Sequence, residues 1–567
     1  MKSRAPALEQ RRTSTCRPPL ASHAPLLVLM WALMPMSGTS AVAQPLPDLV
    51  VRTTAGSVVG TVAGGTAGAN AGTTPGASTG ASTGAPTPPQ VLTFKGIPYA
   101  APPVGPLRWR PPQPAPPWSG VRDATRFGAD CVQTLYVITT GQKTSEDCLT
   151  LSVWTAAHYR NARRPVMVFI YGGAFIGGSA AYPLYDGAKL AAEGVVVVGF
   201  NYRIGIFGFL AHPQLSAESP HKTSGNYGLL DQIAALQWVK ANIAEFGGDP
   251  QRVTVFGESA GAVSIALLIT SPLAKGLFEQ AILQSPVVLP WPELAAAERS
   301  GAAVGAKIAA LRQLSAEQLL AHNDNFFPQA THNVMAMAFP SPIVDGYVLP
   351  VQPRRAFQSG TVNAVPSIVG INADEGRMFS DESHVGSVTA YQHWVQEKFG
   401  PLAPVILRVN PATTDSAAAA ATSAIIGDVM FVESARLIAQ GISRQQPRTF
   451  AYVFTRHAGD GPLPATHSEE LPFVFASLEQ PSFIKHPPPV AADLQLSSAM
   501  RRAWSRFAAN GDPNGPGLPQ WPRYDRATDP YLELGTPIRA GHAYRKAQVD
   551  AIEPFYSDAR QPSNYRR

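Results

Sequence analysis

Cysteine is scarce, with three residues in a chain of 567. Cys16 lies in a leader-like N-terminus, so Cys131 and Cys148 can make only one internal pair. Two cysteines without further ligands at zinc spacing argue against a structural metal site. Charge is sparse too, at 15% of residues, with a formal net charge of +6. Lys2, Arg4, Arg11, Arg12 and Arg17 against Glu9 account for +4 of it within residues 1–43, which leaves +2 for the remainder. So small an excess gives no basis for nucleic-acid binding. Long apolar runs are also missing. Leu26 to Met36 is well short of the roughly 20 residues that span a bilayer. Basic residues precede this run, and Ala41-Val42-Ala43 follows it as a cleavage site of the A-x-A type. Residues 1–43 are therefore expected to be a signal peptide, with Gln44 opening an exported mature chain, periplasmic or extracellular, that keeps no membrane span. In an oxidising compartment Cys131 and Cys148 are expected to form a disulfide. In the chain-entropy picture it stabilises by on the order of 3 kcal/mol.

Apolar residues make up 45% of the chain, which suits a globular protein. Residues 44–567 read as one domain, with no long linker dividing them. From Gly64 to Pro89 the composition collapses to Gly, Ala, Thr, Ser and Pro, and this stretch reads as a permissive loop. Prolines from Pro98 to Pro117 exclude regular helix there. Beyond Cys148, short apolar strands alternate with helical patterns. Leu149–Val153, Val166–Ile170, Gly194–Tyr202, Gln280–Ser285, Ser367–Asn372 and Thr449–Phe454 read as strands. Leu229–Phe246 and Met500–Ala508 read as helices, the latter as the closing one. Alternation of this kind predicts an α/β fold with a large, mostly parallel sheet. The helical stretches at 292–339 and 386–445 are expected to form cap insertions beside it.

The chain centres on Val253-Thr254-Val255-Phe256-Gly257-Glu258-Ser259-Ala260-Gly261-Ala262. A β-branched run, a Gly-x-Ser-x-Gly turn and an apolar helix follow one another, as a nucleophile elbow requires. Serine needs a base to become a nucleophile, and histidine has the suitable pKa. Eleven histidines follow residue 43. Chain order favours His467, beyond a late strand, with His457 as its rival. Glu375 or its neighbour Asp374, at the end of the preceding strand, supplies the acid that orients the imidazole. Gly172-Gly173-Ala174 after a buried strand, together with the Ala260 N–H, can meet a developing oxyanion.

These pieces resemble the type-B carboxylesterase family, which includes cholinesterases and bacterial para-nitrobenzyl esterases. Phe256–Ala262 and Glu146-Asp147-Cys148-Leu149-Thr150-Leu151 carry the likeness most specifically. Phe94–Ala100, Asn201-Tyr202-Arg203, Gly225–Gln232 and Gly511–Asn514 extend it over nearly all of 49–540. The resemblance implies an α/β-hydrolase fold and ester hydrolysis through Ser259, Glu375 and His467, preferring Glu375 over Asp374 and His467 over His457. It implies oxyanion donors at Gly173, Ala174 and Ala260, a Cys131–Cys148 disulfide, and buried ion pairs Arg108–Glu146 and Arg203–Asp231. No metal or organic cofactor is implied. The substrate would be a small ester, with related acyl bonds or a binding role as the alternatives. Ala174 stands where many relatives have a third glycine, although the bacterial esterases share the alanine. The short cysteine loop has no tryptophan of the kind on which cholinesterases stack choline. Phe175, Trp291 and Phe473 are candidates for an apolar pocket.

Overall fold

A computed structural model describes residues 49–64, 89–133, 140–157, 160–321, 341–380, 385–461, 463–483 and 485–557. The expected signal peptide, nearly all of the 64–89 loop and residues 322–340 lie outside them. The described residues all belong to one compact unit.

Strands β1 (Val50–Arg52), β2 (Ser57–Val59) and β5 (Val121–Asp123) form a small sheet of their own. Strands β6 (Asp130–Cys131) and β7 (Thr144–Ser145) form a two-stranded ladder. The main sheet is built from β3 (Thr61–Val62), β4 (Leu92–Pro98), β8 (Thr150–Thr155), β9 (Arg164–Ile170), β10 (Val196–Phe200), β11 (Gly248–Glu258), β12 (Gln280–Gln284), β13 (Ser367–Asn372), β14 (Thr449–Phe454), β15 (Pro530–Leu534) and β16 (Arg539–His542). Its order is β16-β15-β14-β13-β12-β11-β9-β10-β8-β4-β3. From β15 across to β10 every pairing is parallel. The flanks β16, β8, β4 and β3 pair antiparallel. The central strands are apolar along their whole length because helices cover both faces. Val166–Ile170 and Val253–Phe256 are almost wholly shielded from solvent.

Several expectations need adjustment. Residues 50–62 divide between two sheets, since β1 pairs with β2 while β3 joins the edge of the main sheet. Met500–Ala508 is the middle of a longer helix, Ala491–Asn510, and does not close the chain. Two strands and the helix Lys546–Ser557 follow it. The described part of 292–339 is broken into short helices: Leu294–Ala302, Ile308–Leu311 and Ala316–Leu320. Helix runs unbroken from Asp415 to Ser443. Length and composition alone would let it cross a bilayer, but Asp428 and Glu433 are buried in it and ion-paired to Arg545 and Arg354. Such pairs mark a helix packed into a protein core. Cys131 and Cys148 are disulfide-bonded, with Cα atoms 5.0 Å apart.

Candidate active site

Strand β11 ends at Glu258 and the helix Ala260–Thr270 begins at once, so the whole turn falls on Ser259. Its φ of 55° and ψ of −126° lie in a region that costs a non-glycine residue about 1–3 kcal/mol. Neighbouring bonds impose it: Ser259 N–H donates to Gln284 O at 2.9 Å, and Val263 N–H donates to Ser259 O at 2.8 Å. Gly261 explains the motif sterically. A Cβ there would lie 1.9 Å from Ile170 O, inside the neighbouring strand. Ser259 is partly exposed, whereas Glu258 and Ala260 are buried.

The loop after β9 approaches the serine closely. A Cβ on Gly172 would fall 2.9 Å from Ser259 Cβ and 2.9 Å from Glu258 Oε2. Gly173 has a φ of 109° and Ala174 a φ of 53°, so the chain turns sharply beside the elbow. Among the described residues, no backbone carbonyl outside the regular elements accepts from their N–H groups. The N–H of Ala260, at the first position of a helix, has no partner one turn back. Three donors thus sit on the segments that flank Ser259.

Glu375 and His467 come from the loops after β13 and β14. His467 Nδ1 lies 2.6 Å from Glu375 Oε2. The other oxygen of Glu375 accepts from Ser285 Oγ at 2.5 Å and from Asn372 N–H at 2.8 Å. Asp374 does different work. Its backbone and side chain exchange bonds of 2.9 and 3.0 Å with Ala465, which ties the two loops together. His457 accepts from Leu463 N–H and lies 2.5 Å from Gly461 O, so it belongs to a local turn.

His467 Nε2 makes no hydrogen bond to a described residue, although it is buried. Glu258 Oε1 lies 3.1 Å from it. Glu258 also accepts from Ser468 Oγ at 2.6 Å. Glu470 lies beneath, held by Gln284 Nε2 at 2.9 Å and Asn372 Nδ2 at 2.6 Å. The imidazole therefore lies among three buried carboxylates. Burial alone would pull it down, but Glu258, Glu375 and Glu470 outweigh that and push it up to about 9. Burial pushes Glu258 up to about 8, with His467 opposing and Glu470 adding to the shift. Glu469 also rises to about 8, through burial and the neighbouring Glu470.

Of the pocket candidates, Phe175 adjoins the Gly173-Ala174 turn and meets Trp291 edge-on at 6.3 Å. Phe473 is fully buried against Phe454 at 5.1 Å. The aromatic side chains that do pack on His467 are Phe431, at 4.7 Å, and Phe379, at 5.4 Å. Phe379 lies four residues after Glu375, a spacing that could have pointed to it. Glu258 was visible as the variable residue inside the elbow. For Ser285, Ser468 and Glu470, no local pattern in the sequence points to this site.

The Carboxylesterase family pattern matches residues 68–552. The chain belongs to the carboxylesterase family. It is 44% identical over 472 residues to the fumonisin B1 esterase of Sphingopyxis macrogoltabida, covering 82% of this chain and 87% of that one. It is 38% identical over 459 residues to the para-nitrobenzyl esterase of Bacillus subtilis, covering 78% and 91%. A solved carboxylesterase of Geobacillus stearothermophilus superposes with a TM-score of 0.74 at 32% identity, covering 89% of this chain and 99% of that one. This carboxylesterase thus has the α/β-hydrolase fold and hydrolyses carboxylic esters.

Proposed function

We propose that this carboxylesterase is an exported serine hydrolase working through Ser259, His467 and Glu375. His467 Nε2 takes the Ser259 hydroxyl proton as Oγ attacks the ester carbonyl. The N–H groups of Gly173, Ala174 and Ala260 hold the oxyanion. The imidazolium returns its proton to the departing alcohol, leaving an acyl group on Ser259. Water activated by the same nitrogen then releases the acid. Glu375 fixes the ring tautomer, with Nδ1 bearing the proton. The observation that carries this reading is the 2.6 Å contact between His467 Nδ1 and Glu375, with Nε2 making no hydrogen bond among the described residues and lying 3.1 Å from Glu258 Oε1. No step calls for a metal or an organic cofactor.

Export rests on the basic and apolar leader before Ala41-Val42-Ala43. The natural substrate is a small-molecule ester. The 44% identity to a fumonisin B1 esterase makes fumonisin B1 the first ester to try. The test is hydrolysis of para-nitrophenyl esters from acetate to palmitate, and of fumonisin B1, by the mature protein and by Ser259→Ala. Loss of turnover in Ser259→Ala on every ester is the expected result. Turnover retained in that variant refutes the nucleophile. Cleavage of amide or carbamate analogues at comparable rates would move the chain toward another acyl bond.

A further inference from the structure

One turn of π-helix, Asp428–Val432, joins the helices Asp415–Gly427 and Glu433–Ser443. Such a turn holds one residue more than an α-turn and rotates the side chains around it. Here it delivers Phe431, fully buried, against the His467 imidazole. Phe379 meets the same imidazole and lies 5.6 Å from Phe431. The ring that must aim Nε2 at the serine therefore packs on two phenyl groups.

The π-turn is gripped by the C-terminal segment. Arg545 Nε donates to Asp428 Oδ1, and its Nη2 donates to Asp428 Oδ2 at 2.6 Å and Asn410 Oδ1 at 3.2 Å. Tyr556 Oη donates to the Val429 carbonyl at 2.5 Å. Asp428 and Arg545 are 117 residues apart in sequence. A guanidinium fork on a buried carboxylate sets both distance and orientation.

We propose that Asp428 and Arg545 are positioning residues for the base and act through Phe431. Their ion pair fixes the register of the π-turn. Phe431, with Phe379, then fixes the plane of the imidazole, whose Nε2 lies 3.1 Å from Oε1 of Glu258, the residue before Ser259. The proposal rests on His467 being the base, as argued above. A ring misaimed by about 1 Å loses on the order of 100-fold in rate.

The test compares kcat, KM and pH profiles on para-nitrophenyl acetate for mature wild type, Phe431→Ala, Phe431→Tyr, Arg545→Met and the double variant Phe431→Ala/Arg545→Met. Each is also followed by thermal melting. Phe431→Ala and Arg545→Met are each expected to lower kcat by about 10- to 100-fold with KM near wild type. Phe431→Tyr is expected to restore most of the rate. The double variant is expected to be no slower than the slower single variant, because the two changes break one chain of contacts. If Arg545→Met does not fold, Arg545→Lys keeps the charge but loses the fork, and the same loss of kcat is expected in smaller measure. Lowered melting with unchanged kcat and pH profile would overturn the proposal and make Phe431 plain core. Multiplying losses in the double variant would overturn the link between Arg545 and Phe431. Full turnover in His467→Ala would instead refute the assignment of the base, a failure separable from the others because that variant leaves the π-turn intact.

Discussion

At His467 two demands meet in one ring. A general base must be neutral to accept the serine proton, yet the carboxylates around this one favour its charged form and push it up to about 9. The neutral fraction grows as pH rises through that value. The acid limb of kcat/KM is therefore expected well above the ordinary histidine value of about 6.5. Glu258→Gln removes one of the charges that raise it, so the limb should move toward neutrality. A pH series of kcat/KM for the two proteins checks this, and an unmoved limb would contradict it. Much of this electrostatic setting could not be read in advance. Glu469 and Glu470, just before Leu471-Pro472-Phe473, are both buried, at 3% and 0% exposure. Glu470 is held by Gln284 of β12 and Asn372 of β13, and Glu469 lies 3.5 Å from His486, contacts that no local pattern announces. Ser259 itself was legible because its constraint is local: strand, turn and helix are contiguous.

At the scale of elements, the site depends on how tightly the cap helices meet the loop that carries Glu375. A Cβ on Gly376 would lie 1.9 Å from Ser423 O, in the helix Asp415–Gly427. That contact is with backbone and cannot be relieved by turning a side chain. Gly376→Ala should cost about 1–3 kcal/mol by overpacking. It should also lower kcat, because the displaced loop is the one that holds Glu375 against the imidazole. Denaturant melts with turnover on para-nitrophenyl acetate test both parts, and wild-type behaviour in both would contradict the packing argument. The sequence pattern placed helices at 386–445 and a strand ending before Asp374. Their mutual contact, and the π-turn that aims Phe431 inward, follow from tertiary packing that periodicity does not encode.

For the whole molecule, two buried ion pairs hold the segments that precede and follow the Gly172–Ala174 loop. Arg203 donates to Asp231 at 2.7 and 2.8 Å, with both side chains almost fully buried. Arg108 donates from Nε to Glu146 at 2.7 Å and also reaches the carbonyls of Leu311, Arg312 and Leu314. Removing one partner leaves a buried charge unpaired. Arg203→Leu is expected to lose about 3–5 kcal/mol of stability, and a compensating Asp231→Leu should return part of it. Urea unfolding of the single and double variants measures this, and equal stability of wild type and Arg203→Leu would contradict it. These pairs were anticipated through family resemblance, because charge spacing alone says nothing of burial. The parallel strands from β9 to β14 were legible for the opposite reason, since each carries a buried apolar run, whereas β15, half-exposed and carrying Glu533, was not.

The central claim is that acyl transfer passes through Ser259. It is tested most directly by trapping the nucleophile with a para-nitrophenyl phosphonate and mapping the modified peptide by mass spectrometry. The account predicts one phosphonyl group per chain, on Ser259, with release of one equivalent of para-nitrophenol and loss of turnover in step with labelling. Labelling should be slow in His467→Ala. A phosphonyl group on any other residue, or full turnover by a protein fully labelled at Ser259, would contradict it.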